Sequence, residues 1–369
     1  MGSVMPLTRT TKGDISMSES ILSVSNLNVS FPLEEGLLEA VRGVSFEIGA
    51  GRTLGLVGES GCGKSVTAQA LLRLLPKSSR IDGEIRFRTA EGSVVDVNTL
   101  GLNSGHIRKI RGAEITMIFQ EPLTSFSPLY TIGNQIIEQI LLHFTSDPER
   151  ARERAIEMLD KVGIPEAEKR VDAYPFELSG GMRQRAMIAM ALSANPKLLI
   201  ADEPTTALDV TIQAQVLDLM KDLQREFGMS ILFITHDLGV VAEMCDDVAI
   251  MYLGKIVEYA SVQEVFGNPR HPYTVALLNS IPKLGEANAG KIVPIEGSVP
   301  VPMNLKKACN FSERCPYARR GLCDAYEPPL VEVGDRKSVA CFLYPEVRAE
   351  HEKKQTQPDT ARVTTGGVQ

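Results

Sequence analysis

Long apolar runs are missing from this sequence. A helix that spans a bilayer needs about 20 consecutive, predominantly apolar residues, and polar or charged residues interrupt the apolar stretches here before that length is reached. The first twenty residues, MGSVMPLTRTTKGDISMSES, also lack the apolar segment of a secretory signal. We therefore expect a chain that does not cross a membrane by itself and that resides in a reducing compartment, where disulfide bonds do not persist.

The sequence also has no excess of positively charged residues. The 369 residues contain 39 lysines and arginines against 46 aspartates and glutamates, which gives a formal net charge of -7 at pH 7. Proteins that hold nucleic acid through their overall charge are basic, so the composition disfavours that class and we expect no nucleic-acid partner. The sequence likewise has no internal repeat and no long heptad array that would form a coiled-coil arm.

An alternation of predicted strands and helices indicates the α/β class. Residues 21–31 alternate apolar and polar side chains, and residues 41–58 contain two further strands around a glycine-rich turn. The apolar runs at 197–204 and 230–237 flank a helical pattern, and this order predicts a largely parallel sheet. Helical patterns fill residues from about 121 to 178, which we interpret as a helical insertion between the two strand-rich parts.

The same patterns divide the chain into four parts. Residues 21–285 are predicted to form one large domain. Periodicity fades and prolines recur in residues 286–345, which predicts a small, irregular, cysteine-rich C-terminal domain. Residues 1–20 and 346–369 are polar and are predicted to be a disordered leader and a disordered tail.

A glycine-rich motif, GESGCGKS, stands between a predicted strand and a predicted helix. In that context the pattern G-x-x-x-x-G-K-[ST] is typical of a loop whose backbone N–H groups hold nucleotide phosphates. Lys64 is expected to bridge the outer phosphates, and the Ser65 hydroxyl is expected to ligate Mg²⁺. The residues predicted to contact ATP here are Gly58, Glu59, Ser60, Gly61, Cys62, Gly63, Lys64 and Ser65.

A second motif, LLIADEP, is an apolar strand that ends in two acidic residues. We expect Asp202 to complete the magnesium shell. We expect Glu203 to lie beside the outermost phosphate, where a carboxylate can polarise the attacking water. Many strands end in acids, but together with the phosphate loop this motif predicts an ATPase.

A third motif, LSGGMRQR, narrows the class further. Ser179 can cap the helix that follows, and Gly180 and Gly181 allow a backbone to approach closely. Together they make a second anion site at a helix N-terminus. One triphosphate does not need two such sites in one subunit, so we expect this loop to contact a nucleotide held by another subunit.

In this order the motifs resemble those of the ATP-binding subunits of ATP-binding cassette (ABC) transporters. The resemblance implies a P-loop nucleotide-binding domain with a mixed or parallel sheet and a helical insertion. It implies that Glu203 is the general base, that Gln120 in MIFQEP contacts Mg²⁺ and the attacking water, and that His236 in ITHD contacts the γ-phosphate. It also implies that Asp209 of the ALD motif lies at the ATP site and that Phe31 stacks on adenine.

Two longer stretches, YPFELSGGMRQRAMIAMAL and IADEPTTALDVTIQAQ, resemble the D-type ATPase subunits of oligopeptide and dipeptide importers. HPYT at 271–274 matches the segment that opens the C-terminal extension of this group. The resemblance implies a motor subunit that pairs with a second, F-type ATPase subunit and drives two membrane permease subunits. It also implies that an extracytoplasmic binding protein delivers the peptide, and that the chain is peripheral on the cytoplasmic side of the inner (plasma) membrane.

Four of the six cysteines lie in the small C-terminal part, at Cys309, Cys315, Cys323 and Cys341. A short segment without its own apolar core needs a cross-link, and a metal centre supplies one. Structural zinc favours paired C-x2-C knuckles, which this spacing lacks, whereas four thiolates at wider spacing suit a [4Fe–4S] cluster. The residues alone leave a cluster, zinc or unligated thiols open, and the resemblance to D-type subunits implies the cluster.

A different function class remains as the alternative. It is a non-transport ABC ATPase whose metal-binding tail contacts nucleic acid or another protein. The two functions differ in what the helical insertion does, since a transport motor needs a groove there for a helix of a membrane subunit.

Overall fold

The computed structural model describes residues 20–120, 125–206, 208–281, 295 and 297–356. Parts of several predictions lie outside the described residues: 1–19 of the leader, 121–124 of the insertion, Ala207 of the ALD motif, 282–294 and 296 around the domain junction, and 357–369 of the tail.

The described strands are, in chain order, β1 (Ser20–Leu33), β2 (Gly36–Gly49), β3 (Thr53–Val57), β4 (Arg80–Arg88), β5 (Val94–Asp96), β6 (Ile115–Ile118), β7 (Leu198–Asp202), β8 (Ser230–Thr235), β9 (Asp247–Tyr252), β10 (Lys255–Ser261), β11 (Val331–Gly334) and β12 (Lys337–Val339). The described α-helices are α1 (Lys64–Leu71), α2 (Gly105–Lys109), α3 (Ile132–His143), α4 (Pro148–Lys161), α5 (Ala167–Arg170), α6 (Gly180–Leu192), α7 (Val210–Phe227), α8 (Leu238–Met244), α9 (Val262–Gly267), α10 (Pro272–Asn279) and α11 (Pro345–Thr356).

A mixed sheet of eight strands forms the centre of the fold, in the order β11-β12-β10-β9-β3-β8-β7-β6. The strands from β9 to β6 in this order run parallel, and β10, β12 and β11 continue the sheet in antiparallel fashion. Every residue of β3, β7, β8 and β9 is buried, as expected for parallel strands covered on both faces. The carboxyl ends of β3, β7 and β8 therefore meet at one edge of the sheet, where such folds bind ligands.

A smaller antiparallel sheet, in the order β2-β1-β4-β5, covers one face of the main sheet. Side chains from both sheets share one buried apolar cluster, with Leu22 and Phe87 from the smaller sheet and Leu54, Ile200 and Leu232 from the larger one. The strands predicted within 21–31 and 41–58 correspond to β1, β2 and β3.

Helices cover the other face of the main sheet. The alternate residues of β7, Leu199 and Ala201, pack there against Ile136 of α3, Met158 of α4 and Ile188 of α6. Helices α3, α4 and α5 occupy the part of the chain for which the sequence predicts a helical insertion, between β6 and α6.

The C-terminal residues do not stand apart from the rest, which corrects the expectation of a separate cysteine-rich domain. Strand β12 pairs with β10 through Val339 and Glu258, and so extends the main sheet. Phe311 is buried in a cluster with Tyr252 and Tyr273. The prediction was wrong because the segment buries Phe311 against the preceding domain and adds β12 to its sheet, although it also forms a small apolar cluster of its own.

The predicted disordered tail begins later than expected. Residues Pro345–Thr356 form α11, although residues 346–356 were predicted to be disordered. Val347 of this helix is fully buried in a small cluster with Val339 and Phe342. The polar composition indicates disorder, but the buried Val347 and hydrogen bonds from Arg348 to the carbonyl oxygens of Phe342 and Leu343 attach the helix to the residues before it.

Candidate functional site

The phosphate loop connects the end of β3 to the start of α1. Gly61 and Gly63 have φ angles of 79° and 105°, a region that glycine enters without steric cost. A Cβ atom at Gly63 would lie 2.3 Å from the carbonyl oxygen of Ala40, so a side chain cannot be accommodated there. A tight glycine turn that leads into a helix N-terminus is the arrangement that binds phosphate in nucleotide-binding loops.

Lys64 is held over this loop by groups of the loop itself. Its side chain is buried, and its Nζ donates to the carbonyl oxygens of Gly58 at 2.8 Å and Glu59 at 3.1 Å. The Sγ atom of Cys62 lies 3.9 Å from the same nitrogen. Burial raises the pKa of the Cys62 thiol, so this residue acts as a small neutral side chain. The geometry fits the predicted contact of Lys64 with outer phosphates.

Asp202 ends β7 next to the phosphate loop. It is 3% exposed, and burial raises its pKa above the ordinary value even though Ser65 forms a side-chain hydrogen bond with it. Its buried Oδ1 atom has no hydrogen-bond partner within the described ranges. An unsatisfied buried carboxylate oxygen is costly, and a divalent cation would satisfy it. Ser65 and Asp202 therefore fit the predicted Mg²⁺ site.

Glu203 is the centre of a hydrogen-bond network at the same edge of the sheet. Gln120 Nε2 donates to its Oε2 at 3.0 Å, Thr206 Oγ1 donates to Oε2 at 3.0 Å, and His236 Nδ1 lies 3.2 Å from Oε1. Glu203 has a φ angle of 47°, which is uncommon for a residue other than glycine. Its backbone N–H donates to the carbonyl oxygen of Ile234 at 2.9 Å, which holds this conformation. The structure thus brings together the predicted trio of Glu203, Gln120 and His236.

The surroundings of Glu203 keep its carboxylate ionised. Partial burial by itself would raise the pKa, but hydrogen bonds with His236 and Thr206, and the nearby positive charge of Lys64, outweigh it and lower the pKa below its ordinary value. A group that accepts a proton in a reaction must first be deprotonated. The electrostatics therefore agree with the predicted role of a general base.

The LSGGMRQR motif leads into α6, and its Ser179 and Gly180 are exposed. Ser179 caps this helix, because its Oγ accepts the N–H of the third helical residue at 3.3 Å. Gly180 is exposed, and apart from its chain neighbours and its own helix backbone no described atom lies within 4 Å of the position that its Cβ would take. Gly181 and Asp209 both adjoin Ile212, whose N–H donates to the Asp209 carboxylate at 2.9 Å. The predicted partner-facing residues thus lie close to one another at the N-termini of α6 and α7.

Two residues of the site were not predicted from the sequence. Thr206 binds Glu203, and its position three residues further along the chain is the available signal, since threonine hydroxyls often bond to nearby groups. Gln184 is buried, and its Nε2 donates to the carbonyl oxygen of Pro204. It thereby connects helix α6 directly to the loop that carries Glu203.

Phe31 lies near the end of β1 and is half-buried against the apolar cluster between the two sheets. Its predicted contact with adenine stays a prediction.

The four cysteines of the C-terminal region line one small opening. Burial raises the pKa of Cys309 to about 12 and that of Cys341 to about 11, and it also raises the pKa of Cys315. The backbone N–H of Cys309 donates to the carbonyl oxygen of Cys323 at 2.8 Å. The thiols are thus gathered around one space, as the ligands of a cluster must be. In the described ranges, however, no three His, Cys, Asp or Glu side chains are arranged to hold a metal ion, so the metal centre stays a prediction.

Two protein-family models match the chain. Residues 41–206 match the family described as ABC transporter, and residues 257–323 match the family described as oligopeptide/dipeptide transporter, C-terminal region. Among the helices of the described residues, none combines the length and the apolar character needed to span a membrane.

Curated relatives match almost the whole chain. A probable peptide ABC transporter ATP-binding protein, y4tR of Sinorhizobium fredii, is 48% identical over 332 residues, which are 89% of this chain and 97% of that protein. The oligopeptide transport ATP-binding protein AppD of Bacillus subtilis is 49% identical over 333 residues, covering 90% and 99% of the two chains. Among solved structures, the dimeric ATP-binding cassette MJ0796 in a post-hydrolysis state with ADP and Pi has a TM-score of 0.56 and 27% identity. That match covers 65% of this chain and 98% of the cassette.

Proposed function

This chain belongs to the ABC transporter family, among the ATP-binding subunits of peptide import systems, and we propose on that basis a specific role for each of its site residues. The protein hydrolyses ATP as the motor subunit of a peptide importer. The observation that carries this function is the hydrogen-bond network of Glu203 beside the phosphate loop, in a chain that continues into the transporter-type C-terminal region 257–323.

Four side chains carry out the hydrolysis in this proposal. Lys64 and the loop N–H groups bind the phosphates of ATP. Gln120 orients a water molecule, whose oxygen forms a bond to the γ-phosphorus while the bond between that phosphorus and the bridging oxygen of ADP breaks. Glu203 accepts the proton that this water loses, and His236 contacts the γ-phosphate. The support for its part is geometric, because the ionised Glu203 carboxylate lies between Gln120 and His236 beside the phosphate loop.

Magnesium is the cofactor in this proposal. Ser65, Asp202 and Gln120 would hold the ion, which offsets the negative charge of the phosphates. The orphaned Oδ1 atom of Asp202 supports this assignment. The remaining nucleotide contact is Phe31 against adenine, for which the half-buried position on β1 leaves part of the ring free.

A second ATPase subunit completes each ATP site. Ser179, Gly180, Gly181 and Asp209 contact the nucleotide of the partner, which we propose to be an F-type subunit. The support is that Ser179 and Gly180 are exposed at the N-terminus of a helix of 13 residues, where the helix dipole favours an anion. The similar cassette MJ0796 is itself dimeric.

ATP binding and hydrolysis drive conformational change in two membrane permease subunits, and an extracytoplasmic protein delivers the peptide to them. We assign permease contact to the exposed apolar side chains of residues 129–176, of which Leu129 is 79% and Leu142 is 68% exposed. Apolar side chains that stay in water on a monomer commonly mark an interface. This contact would hold the chain on the cytoplasmic side of the plasma membrane.

The C-terminal cysteines hold a [4Fe–4S] cluster in this proposal, and zinc is the alternative. The support for a metal centre is that four thiols line one opening. We assign it a structural role, because the sequence gives no sign of a flavin or other electron partner. We propose residues 21–285 as the nucleotide-binding domain and residues 286–345 as an extension of it, which the pairing of β12 with β10 supports.

The decisive experiment is transport by the reconstituted complex. Proteoliposomes with this chain, its F-type partner, the two permeases and the binding protein should accumulate labelled peptide only when ATP is supplied. The Lys64→Ala variant should abolish uptake. Uptake should persist with Arg336→Met, because Arg336 is exposed and pairs with Asp247 at the start of β9, away from the carboxyl ends of the strands. ATP hydrolysis that nucleic acid stimulates, without peptide uptake, would instead support the non-transport alternative.

A further inference from the structure

Glu59, in the phosphate loop, forms a two-pronged ion pair with Arg314 from the C-terminal region. Arg314 Nη1 donates to Glu59 Oε2 at 2.8 Å, and Nη2 donates to Oε1 at 3.1 Å. Parallel bonds of this kind are the strong and directional form of guanidinium–carboxylate pairing. The side chains of Arg314 and Glu59 are only 7% and 27% exposed, so solvent weakens this pair less than an ordinary surface pair.

The Arg314 side chain is fixed by further contacts. Its Nη1 also donates to the Tyr252 hydroxyl at 3.3 Å, and its Nη2 donates to the carbonyl oxygen of Gly297 at 3.3 Å. The guanidinium carbon lies 5.8 Å from the ring centre of Tyr252 and 6.0 Å from that of Phe311. Because the guanidinium is held independently of Glu59, it can hold Glu59 in turn.

The backbone of Glu59 is held by a second residue of the same region. Its N–H donates to the hydroxyl oxygen of Tyr273 at 3.0 Å. Tyr273 is fully buried on α10 and packs against Tyr252 and Phe311, with ring centres 4.7 and 5.4 Å apart. Glu258 anchors the start of this helix by accepting two backbone N–H groups at 2.8 and 2.7 Å.

The negative charge of Glu59 disfavours the binding of phosphate by the loop in which it lies. The loop must bind the phosphates of ATP, and an uncompensated carboxylate there would repel them more strongly the more phosphate charge the ligand carries. Arg314 supplies the compensating charge. Both residues that hold Glu59 lie within 257–323, outside the ABC transporter match at 41–206.

We propose that Arg314 and Tyr273 are positioning residues for the ATP site: through Glu59, the C-terminal region neutralises and orders the phosphate loop and so sets the affinity for ATP. Arg314 directly precedes Cys315 in the chain, so the fold of the cysteine-lined segment and the binding of ATP are coupled. The inference rests on ATP binding at Lys64 and does not depend on the identity of the transported peptide.

The test is a charge-balance series on the full chain, with dissociation constants for ATP, ADP and AMP measured by calorimetry. Arg314→Met should weaken ATP binding by about tenfold, the effect expected when a hydrogen bond to a charged group is lost. The loss should be smaller for ADP and smallest for AMP, and it should shrink at high salt because salt screens the repulsion. The double variant Glu59→Gln/Arg314→Met should regain most of the affinity.

Glu59→Gln alone separates a charge effect from a merely structural one. With Arg314 left in place, the loop becomes more positive, so ATP should bind more tightly than to the wild type, and the gain should shrink at high salt. Weaker or equal binding in this variant, or unchanged binding in Arg314→Met, would overturn the proposal. The matched control is Arg336→Met, which removes an arginine beyond residues 257–323 that pairs with Asp247 and should leave all three dissociation constants unchanged. Failure of the wild type to bind ATP would overturn the proposed function. Normal ATP binding by both the wild type and Arg314→Met would overturn only the positioning role of Arg314.

The assembled complex gives a second readout. In both Arg314→Met and Tyr273→Phe the Michaelis constant for ATP should rise with kcat little changed, because the contacts of Arg314 and Tyr273 with Glu59 affect nucleotide binding and not the chemical step. If Arg314→Met does not fold, Arg314→Lys keeps the charge without the fork and should show a smaller rise. An equal fall in kcat without a change in the Michaelis constant would contradict a positioning role.

Discussion

His236 and Glu203 form a side-chain pair across the carboxyl ends of two neighbouring strands, with His236 Nδ1 3.2 Å from Glu203 Oε1. His236 follows β8, whereas Glu203 follows β7, and Gln120 reaches the other carboxylate oxygen from the end of β6. Three strands that are adjacent in the sheet thus each contribute one side chain to the network. The parallel order of these strands is what places residues 83 and 33 positions apart within hydrogen-bond distance.

The first prediction concerns the general base. Glu203→Gln should lower the ATPase rate of the assembled complex by about 10²- to 10⁴-fold, the range expected when a proton acceptor is removed, while ATP remains bound. The measurement is phosphate release together with nucleotide retained after rapid gel filtration. The control Glu226→Gln alters a surface ion pair with Lys161, which contributes little, and should hydrolyse ATP normally. Turnover of the Glu203 variant near the wild-type rate would exclude the assigned role.

The second prediction concerns a buried histidine and pH. His271 is enclosed, its Nδ1 accepts the N–H of Tyr273 at 3.1 Å, and burial lowers its pKa to about 3. The unfolded chain binds a proton at about pH 6.5, so the stability that neutral His271 confers is complete above that pH and is lost as the pH falls toward 3. From pH 8 to pH 5 the loss should be about 2 kcal/mol.

His271→Asn removes this titration, so its free energy of unfolding should change less between pH 8 and pH 5 than that of the wild type. Urea unfolding at several pH values measures the difference. His106→Asn, at an exposed position, is the control and should follow the wild-type curve. Parallel pH curves for wild type and His271→Asn would contradict the argument.

The third prediction concerns the cysteines. Protein purified without oxygen should contain about four iron and four sulfide per chain and absorb broadly in the visible range. Cys315→Ser should lose this content, whereas Cys245→Ala should keep it, since Cys245 packs in the cassette, next to Gly55 and against the cluster that contains Val241. One zinc per chain without colour would identify the zinc alternative, and the absence of both metals would leave the thiols unligated.

The fourth prediction concerns the permease contact. Leu129→Asp and Leu142→Asp place charges on the exposed apolar side chains of residues 129–176 and should reduce co-purification with the permease subunits. ATP binding by the free chain should not change, because neither residue belongs to the phosphate loop. Val301→Asp, another exposed apolar position in the C-terminal region, serves as the control. Full recovery of the permeases with both leucine variants would place the contact elsewhere.

The sequence by itself determined the chemistry of the ATP site. A phosphate loop needs glycines, a lysine and a hydroxyl at fixed positions of one short segment, because neighbouring backbone groups bind the same ligand. Motifs of this kind are local, so GESGCGKS, LLIADEP and LSGGMRQR could be interpreted without a structure. The same holds for the α/β class, since strand and helix periodicities are also local properties.

The tertiary structure alone decided which distant residues meet. Gln184 acts through a contact with Pro204 that no motif spacing encodes, and the pairing of β12 with β10 attached a segment that the sequence indicated as a separate domain. Arg314 and Glu59 are 255 positions apart. Their pairing depends on the path of the chain, which the burial of apolar side chains determines. Because the hydrophobic effect is not directional, the sequence pattern does not show which distant residues it brings together.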